Sequence, residues 1–326
     1  MKEGAQMKKI TALAALLAAI LLAGCGAEEK QTHPYPLQAD RIQADTEYMC
    51  NVIGPRVVGT AKEVEACDWL QEQLKEIGFS MESGTLERTS FEGFPGVWSE
   101  NLIATCNPEN DGPIFCIMAH YDTVETTPGA RDNTASVATL LELARYLGTA
   151  QEELDAQVRL LFLGSEENGY HGATDYVENL TPEEKLRHLA AYNMENTSAK
   201  PAPDTVLITG TLGGRREDGY LDGAYMEFVE NAASESFSWA FAHYYQGETV
   251  PHIVGNSDHV SFHIGQIDAA NVSWRYRKEN GRPTIPPEYH LPTDTPEGLD
   301  YDGAVVTGCC ILGGIYHLAQ ANEGET

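Results

Sequence analysis

Val158-Arg-Leu-Leu-Phe-Leu163-Gly-Ser-Glu166-Glu167 is the stretch on which the fold turns. Val158 to Leu163 is apolar apart from Arg159, and glycine, serine and two carboxylates follow at once. A short apolar run bounded by a turn predicts a central strand covered on both faces. Upstream, Ala135 to Leu147 sets Val137, Leu140, Leu141, Ala144 and Leu147 at helical spacing. Before it, Ile114 to Ala119 is another short apolar run. Strand, helix, strand predicts a βαβ unit and a largely parallel sheet, because a strand returning in the same direction needs a crossover.

Outward from this unit, Gln38 to Val52 and Ala61 to Ile77 predict amphipathic helices, the second stopped by Gly78. Met81 to Arg88, Asn101 to Cys106, Leu189 to Met194, Thr205 to Thr209 and Ile267 to Trp274 predict strands, and Asn107 to Pro113 is a strong turn signal. Tyr225 to Tyr245 and Leu299 to Ala321 predict helices. No repeat or low-complexity linker follows residue 35, so one domain over 37–326 is expected.

The N-terminus reads differently. Lys8 and Lys9 precede the uncharged run Ile10 to Leu22, which ends in Leu22-Ala23-Gly24-Cys25. The run is short for a membrane span and suits an export signal. The tetrapeptide resembles a bacterial lipobox, whose cysteine is acylated. Residues 1–25 are therefore expected to be a lipoprotein signal, residues 26–36 a tether, and the mature protein extracytoplasmic and anchored to a membrane through Cys25. A plain signal peptide cut nearby is the alternative.

The formal charge is −28, and the chain beyond residue 25 is more acidic still. Such a surface repels nucleic acid and excludes it as an expected partner. Six cysteines remain after Cys25, with no CxxC pair. That argues against a thiolate metal site, and Cys309-Cys310 reads as buried thiols. No disulfide and no oligomeric state is specified.

Five short stretches carry chemistry. His120 and Asp122 follow the strand that begins at Ile114, where a carboxylate two residues on could orient the imidazole. Asp132 opens the helix at Ala135, where an N-cap is the plain alternative. Glu166 and Glu167 end the Val158 strand, and solvated surface carboxylates are the alternative there. Glu195 ends the strand from Leu189. His290 stands in Tyr289-His-Leu-Pro-Thr-Asp294. Each is weak alone. Together they put imidazoles and carboxylates at strand and helix ends, where open α/β sheets bind ligands. Such a set suits catalytic zinc, with one bridging carboxylate making a two-metal site. Adjacent Glu166 and Glu167 could divide the work, one holding metal and the other taking a proton.

The stretches HYDTV from His120, GARDNTAS from Gly129, FLGSEENGYHGA from Phe162, NMEN from Asn193, SDHVSF from Ser257 and YHLPTDTPE from Tyr289 resemble, in order, the blocks of metallopeptidase family 28. Pro55-Arg56 resembles its lead-in. This family comprises di-zinc aminopeptidases and their glutamate carboxypeptidase relatives. The resemblance implies a three-layer αβα sandwich around a central mixed, mostly parallel sheet, and hydrolysis of peptides from one end by an exopeptidase, foremost an aminopeptidase. It implies two Zn2+ ions: His120 and Glu195 on one, Glu167 and His290 on the other, Asp132 bridging. It further implies Glu166 as general base, Asp122 supporting His120, Tyr289 donating to the oxyanion, and a cis peptide at Asp132-Asn133. Glu195 departs from the family's usual Asp. A glutaminyl-cyclase-like transferase, a carboxypeptidase and a non-catalytic peptide-binding lipoprotein are the competing readings.

Around the site, His259 and His263 are expected to pack near the pocket rather than form a further metal pair. Arg275 to Lys278 could hold a substrate carboxylate or be surface cations. Trp98 and Trp274 could wall the pocket or lie in the core.

Overall fold

Helix α1 (Ala39–Tyr48) runs into a wide turn, Met49–Ile53, and α2 follows at Ala61–Ile77. Gly78, at φ 110° in the left-handed region, ends α2 and caps carbonyls of its last turn. This computed structural model describes residues 33–80, 84–150, 154–199, 205–211, 228–280 and 282–323. Cys25 and the expected signal lie outside them.

The hairpin β1 (Thr85–Phe94) and β2 (Val97–Cys106) extends beyond the strands expected from sequence. Next come β3 (Ile114–His120), α3 (Ala135–Leu147) and β4 (Gln157–Leu163), the predicted βαβ unit. The short helices α4 (His171–Asn179) and α5 (Pro182–Arg187) precede β5 (His188–Glu195) and β6 (Thr205–Thr211). Helix α6 (Ala232–Tyr245), β7 (Val250–Ile253), α7 (His259–Ile264), β8 (Ala269–Arg277), the two-residue β9 (Pro283–Thr284) and α8 (Tyr301–Glu323) complete the chain. Sequence periodicity missed α4, α5, α7, β7 and β9, because elements of this length hold too few residues to show a period.

The strands form one mixed sheet in the order β1-β2-β4-β3-β5-β8-β6-β7, with β9 beside β8. Its centre, β4-β3-β5-β8, is parallel. The flanks are antiparallel where β2 meets β4 and β6 meets β8. A parallel centre needs helices on both faces, and the side chains alternate accordingly. Phe115, Ile117 and Ala119 point into the larger core with α2, α3, α6 and α8, whereas Ile114, Cys116 and Met118 point to the side of α4 and α7. The result is an αβα sandwich within the compact unit Tyr35–Thr326.

Helix α8 is long and apolar enough by composition to cross a membrane, yet most of it is buried inside the fold. Its Cys309 and Cys310 are buried and free, as are Cys50, Cys67, Cys106 and Cys116. The parallel centre brings the C-terminal ends of β3, β4, β5 and β8 to one edge, and the candidate site lies there.

Candidate metal centre

His120 is the last residue of β3 and is fully buried. Its Nε2 lies 3.1 Å from Glu195 Oε1, 3.5 Å from Asp132 Oδ1 and 3.9 Å from Glu166 Oε2. His290 Nε2 lies 3.0 Å from Glu167 Oε2 and 3.4 Å from Asp132 Oδ2. The two oxygens of Asp132 therefore face different imidazoles. Donor atoms of His120, Glu166 and Glu195 gather within 4.8 Å of one another, and so do those of Asp132, Glu167 and His290. All six side chains implicated by sequence as ligands or base meet at this edge.

Backbone geometry explains how. Gly164 admits β2 at close range, since a Cβ there would collide with Ser99 Oγ and the Glu100 carbonyl. Ser165 then turns in the left-handed region at φ 62° and delivers Glu166 and Glu167 to the centre. Asp122 accepts the backbone N–H of Glu166 at 3.0 Å and of Glu167 at 3.1 Å. The same carboxylate approaches His120 Nδ1 at 3.5 Å. One side chain thus orients the imidazole and fixes the glutamate turn.

Asp132 does not cap α3. It lies in the wide turn Ala130–Thr134, and no side chain caps the helix that follows. Its peptide to Asn133 is cis. Gly129, at φ 63°, is followed by the turn that presents Asp132. Asn133 Nδ2 donates to the Met194 carbonyl at 2.8 Å and lies 3.5 Å from Glu195 Oε1, tying this turn to the end of β5.

Three residues around the centre had no assigned role in the sequence. Asp294 accepts the backbone N–H of Arg131 at 2.8 Å and of Asp132 at 3.1 Å. Arg56 is fully buried; it donates to the Tyr121 carbonyl at 2.6 Å, the Pro128 carbonyl at 3.1 Å and Thr134 Oγ1 at 2.6 Å, lacing the β3 end to the Asp132 turn. Asp258 is fully buried, and neither carboxylate oxygen has a hydrogen-bond partner among the described residues. Their positions within the resembling blocks were the only sequence signal.

Tyr289 stacks on His290 with ring centroids 3.7 Å apart. With Asp132, Glu166, Glu195 and Arg275 it lines a cavity of about 270 Å³. Trp274 is core, donating to the Gly303 carbonyl at 3.3 Å, and Trp98 is exposed away from this cavity. His259 bonds the Val254 carbonyl at 2.9 Å, and its ring lies 5.8 Å from that of His263, outside both donor groups.

The electrostatics suit a cation. Burial, reinforced by Asp132, pushes the Glu167 carboxyl up to about 8. Burial and neighbouring carboxylates drive Glu166 well above its ordinary range. Burial opposes charge on His120, yet Glu166, Asp122, Asp132 and Glu195 hold its proton far more tightly than usual. Glu167 Oε1 is buried with no hydrogen-bond partner among the described residues. Four carboxylates around two imidazoles, with no lysine or arginine ion pair among the described residues, are what divalent metal neutralises. The nitrogen and oxygen donors fit zinc.

The sequence profile of Peptidase family M28 matches residues 101–313. The chain belongs to this family. It is 28% identical over 254 residues to Aminopeptidase YwaD of Bacillus subtilis, covering 76% of this chain and 51% of that protein. It is 25% identical over 261 residues to the Probable lipoprotein aminopeptidase LpqL of Mycobacterium tuberculosis, covering 76% of this chain and 51% of that one. The chain thus spans about half the length of these curated relatives. The fold matches that of BSAP, a zinc aminopeptidase from Bacillus subtilis, with a TM-score of 0.74, 18% identity, and coverage of 87% of this chain and 95% of that one.

Proposed function

We propose that this M28 member is a zinc-dependent exopeptidase, and specifically an aminopeptidase acting on peptides. The observation that carries the reading is Asp132, whose two oxygens face His120 and His290 separately. His120, Asp132 and Glu195 would hold one Zn2+, and Asp132, Glu167 and His290 the other. Zinc held there supplies a Lewis acid that polarises a carbonyl and makes water more acidic.

The chain's own groups do the rest. Glu166, beside but outside the bridge, takes the proton of the attacking water at Oε2 and delivers it to the leaving amine. Burial places its proton affinity above that of an ordinary carboxylate, as such a role needs. The Tyr289 hydroxyl donates to the oxygen that gains charge. Asp122 keeps His120 and the Glu166 backbone aligned. Release of alanine from alanyl-nitroanilide, lost with chelator and restored by zinc, is the expected result. A Glu166→Gln protein retaining full turnover would sink the mechanism. A digest of mixed peptides with mass readout at both ends separates aminopeptidase from carboxypeptidase action. Metal counting separates a two-zinc peptidase from a single-zinc transferase.

We further infer that residues 1–25 are a lipoprotein signal, 26–36 a tether and 37–326 the catalytic domain, placing the enzyme outside the cytoplasm on a membrane. Support comes from the Leu22-to-Cys25 pattern and the likeness to LpqL. Palmitate should label the chain expressed in a bacterial host, and Cys25→Ser should abolish that labelling.

A further inference from the structure

We propose that Arg275 is a specificity-determining residue that binds a carboxylate of the substrate beside the metal centre. This rests on the peptidase reading above and narrows its substrate class.

Arg275 lies near the C-terminal end of β8. Ser273, two residues earlier, pairs in register with Glu195 at the end of β5. Residues two apart share a face, and Trp274 between them points the other way, into the core. Arg275 therefore stands on the Ser273 face, further toward the edge where the donors gather. It lines the same cavity as Asp132, Glu166 and Glu195.

Its surroundings are unusual. Arg275 is only 9% exposed. Among the described residues, no ion pair or hydrogen bond engages its guanidinium. Arg88, Arg145 and Arg159 each have a carboxylate partner at 2.5 to 2.8 Å. Carboxylates are not scarce in a chain with 49 acidic and 21 basic residues. An arginine so little exposed, with no ion pair among the described residues, keeps its donors free toward the cavity it lines. His252, which lines the same cavity, offers no anion: burial first and Arg275 next disfavour its charged form.

The cavity is thus bipolar, with metal-binding carboxylates on one side and a guanidinium on another. A guanidinium fork matches a planar carboxylate through two parallel hydrogen bonds. At about 270 Å³ the cavity is small. The carboxylate must therefore lie within a residue or two of the bond that is cut. An acidic side chain and the terminal carboxylate of a very short peptide both meet that requirement.

The test is calorimetric titration of zinc-loaded Glu166→Gln protein, which should bind peptides without turning them over. Two pairs of ligands separate the sources: Ala-Ala against Ala-Ala-amide for the terminal carboxylate, and Glu-Ala-amide against Gln-Ala-amide for the side chain. In at least one pair the acid should bind on the order of 10- to 100-fold tighter than its neutral partner. Adding Arg275→Gln should erase that ratio while leaving the neutral ligand's Kd in place. Arg275→Lys should keep part of it. Equal affinity within both pairs, binding too weak to measure included, overturns the proposal. A ratio that survives Arg275→Gln overturns it too. Alanyl-nitroanilide carries no carboxylate, so its turnover by the wild type judges the aminopeptidase reading separately.

Discussion

Asp294 accepts the backbone N–H of Asp132 at 3.1 Å across 162 residues of sequence. Its second oxygen takes the preceding N–H, that of Arg131, at 2.8 Å. The turn that presents Asp132 is therefore held by another carboxylate. Asp122 does the same for Glu166 and Glu167. The two halves of the centre share one device: an aspartate accepting two consecutive amides, which turns Asp132 on one side and Glu166 and Glu167 on the other toward the candidate metal centre.

Asp294→Ala should leave two buried amides without acceptors. Each unsatisfied buried amide costs about 1–3 kcal/mol. The variant should show a lowered Tm and weaker zinc binding, read by competition with a chromogenic chelator. Asp294→Asn keeps only one acceptor oxygen and should fall between the two.

Asp122→Asn puts an amide nitrogen against a donor N–H. Zinc affinity or kcat should drop about 10- to 100-fold, the usual cost of removing a partner behind a metal ligand. Circular dichroism should remain native, because Asp122 lies at the edge of the sheet and outside both apolar cores.

Glu195→Asp restores the residue usual in the resembling family but withdraws the carboxylate by one methylene. Glu195 Oε1 now reaches within 3.1 Å of His120 Nε2. Metal–ligand distances tolerate only about 0.2 Å, and β5 is locked in register between β3 and β8. The expected result is a loss of at least about tenfold in zinc affinity, seen as reduced stoichiometry after dialysis.

Glu63 supplies a pH dependence from outside both donor groups. It accepts hydrogen bonds from Ser99 Oγ and, at 2.6 Å, from the Gly59 amide. Burial is the main cause that pushes its carboxyl from 4.5 up to about 7. A raised folded pKa means the stabilising contribution is full below about 4.5 and is lost as pH rises through about 7. The Tm of wild type relative to Glu63→Gln should therefore fall between pH 5 and 8. A difference that stays flat across that range would contradict it.

Much of the site was legible because its residues end regular elements. His120 and Glu167 follow apolar strands, and Asp132 precedes a helix whose period is plain, so each announced its position locally. Arg56, Asp258 and Asp294 did not. A buried arginine, an aspartate before a short helix and an aspartate in a Pro-rich loop look like surface residues until their partners are known. Likewise Trp274 and Arg275 are neighbours with opposite fates, one in the core and one in the cavity, and only the placement of β8 in the sheet settles which face is which.

By itself the sequence determined the βαβ centre, the edge at which carboxylates and histidines collect, and the family. These follow from periodicity and from residues at element ends, which are local properties of the chain. Tertiary structure alone decided that Asp132 divides its oxygens between two imidazoles, that Asp122 and Asp294 brace the two turns, and that Arg275 faces the cavity with no ion pair among the described residues. Those facts are distances between residues far apart in the chain, set by strand order and register, and no local pattern encodes them.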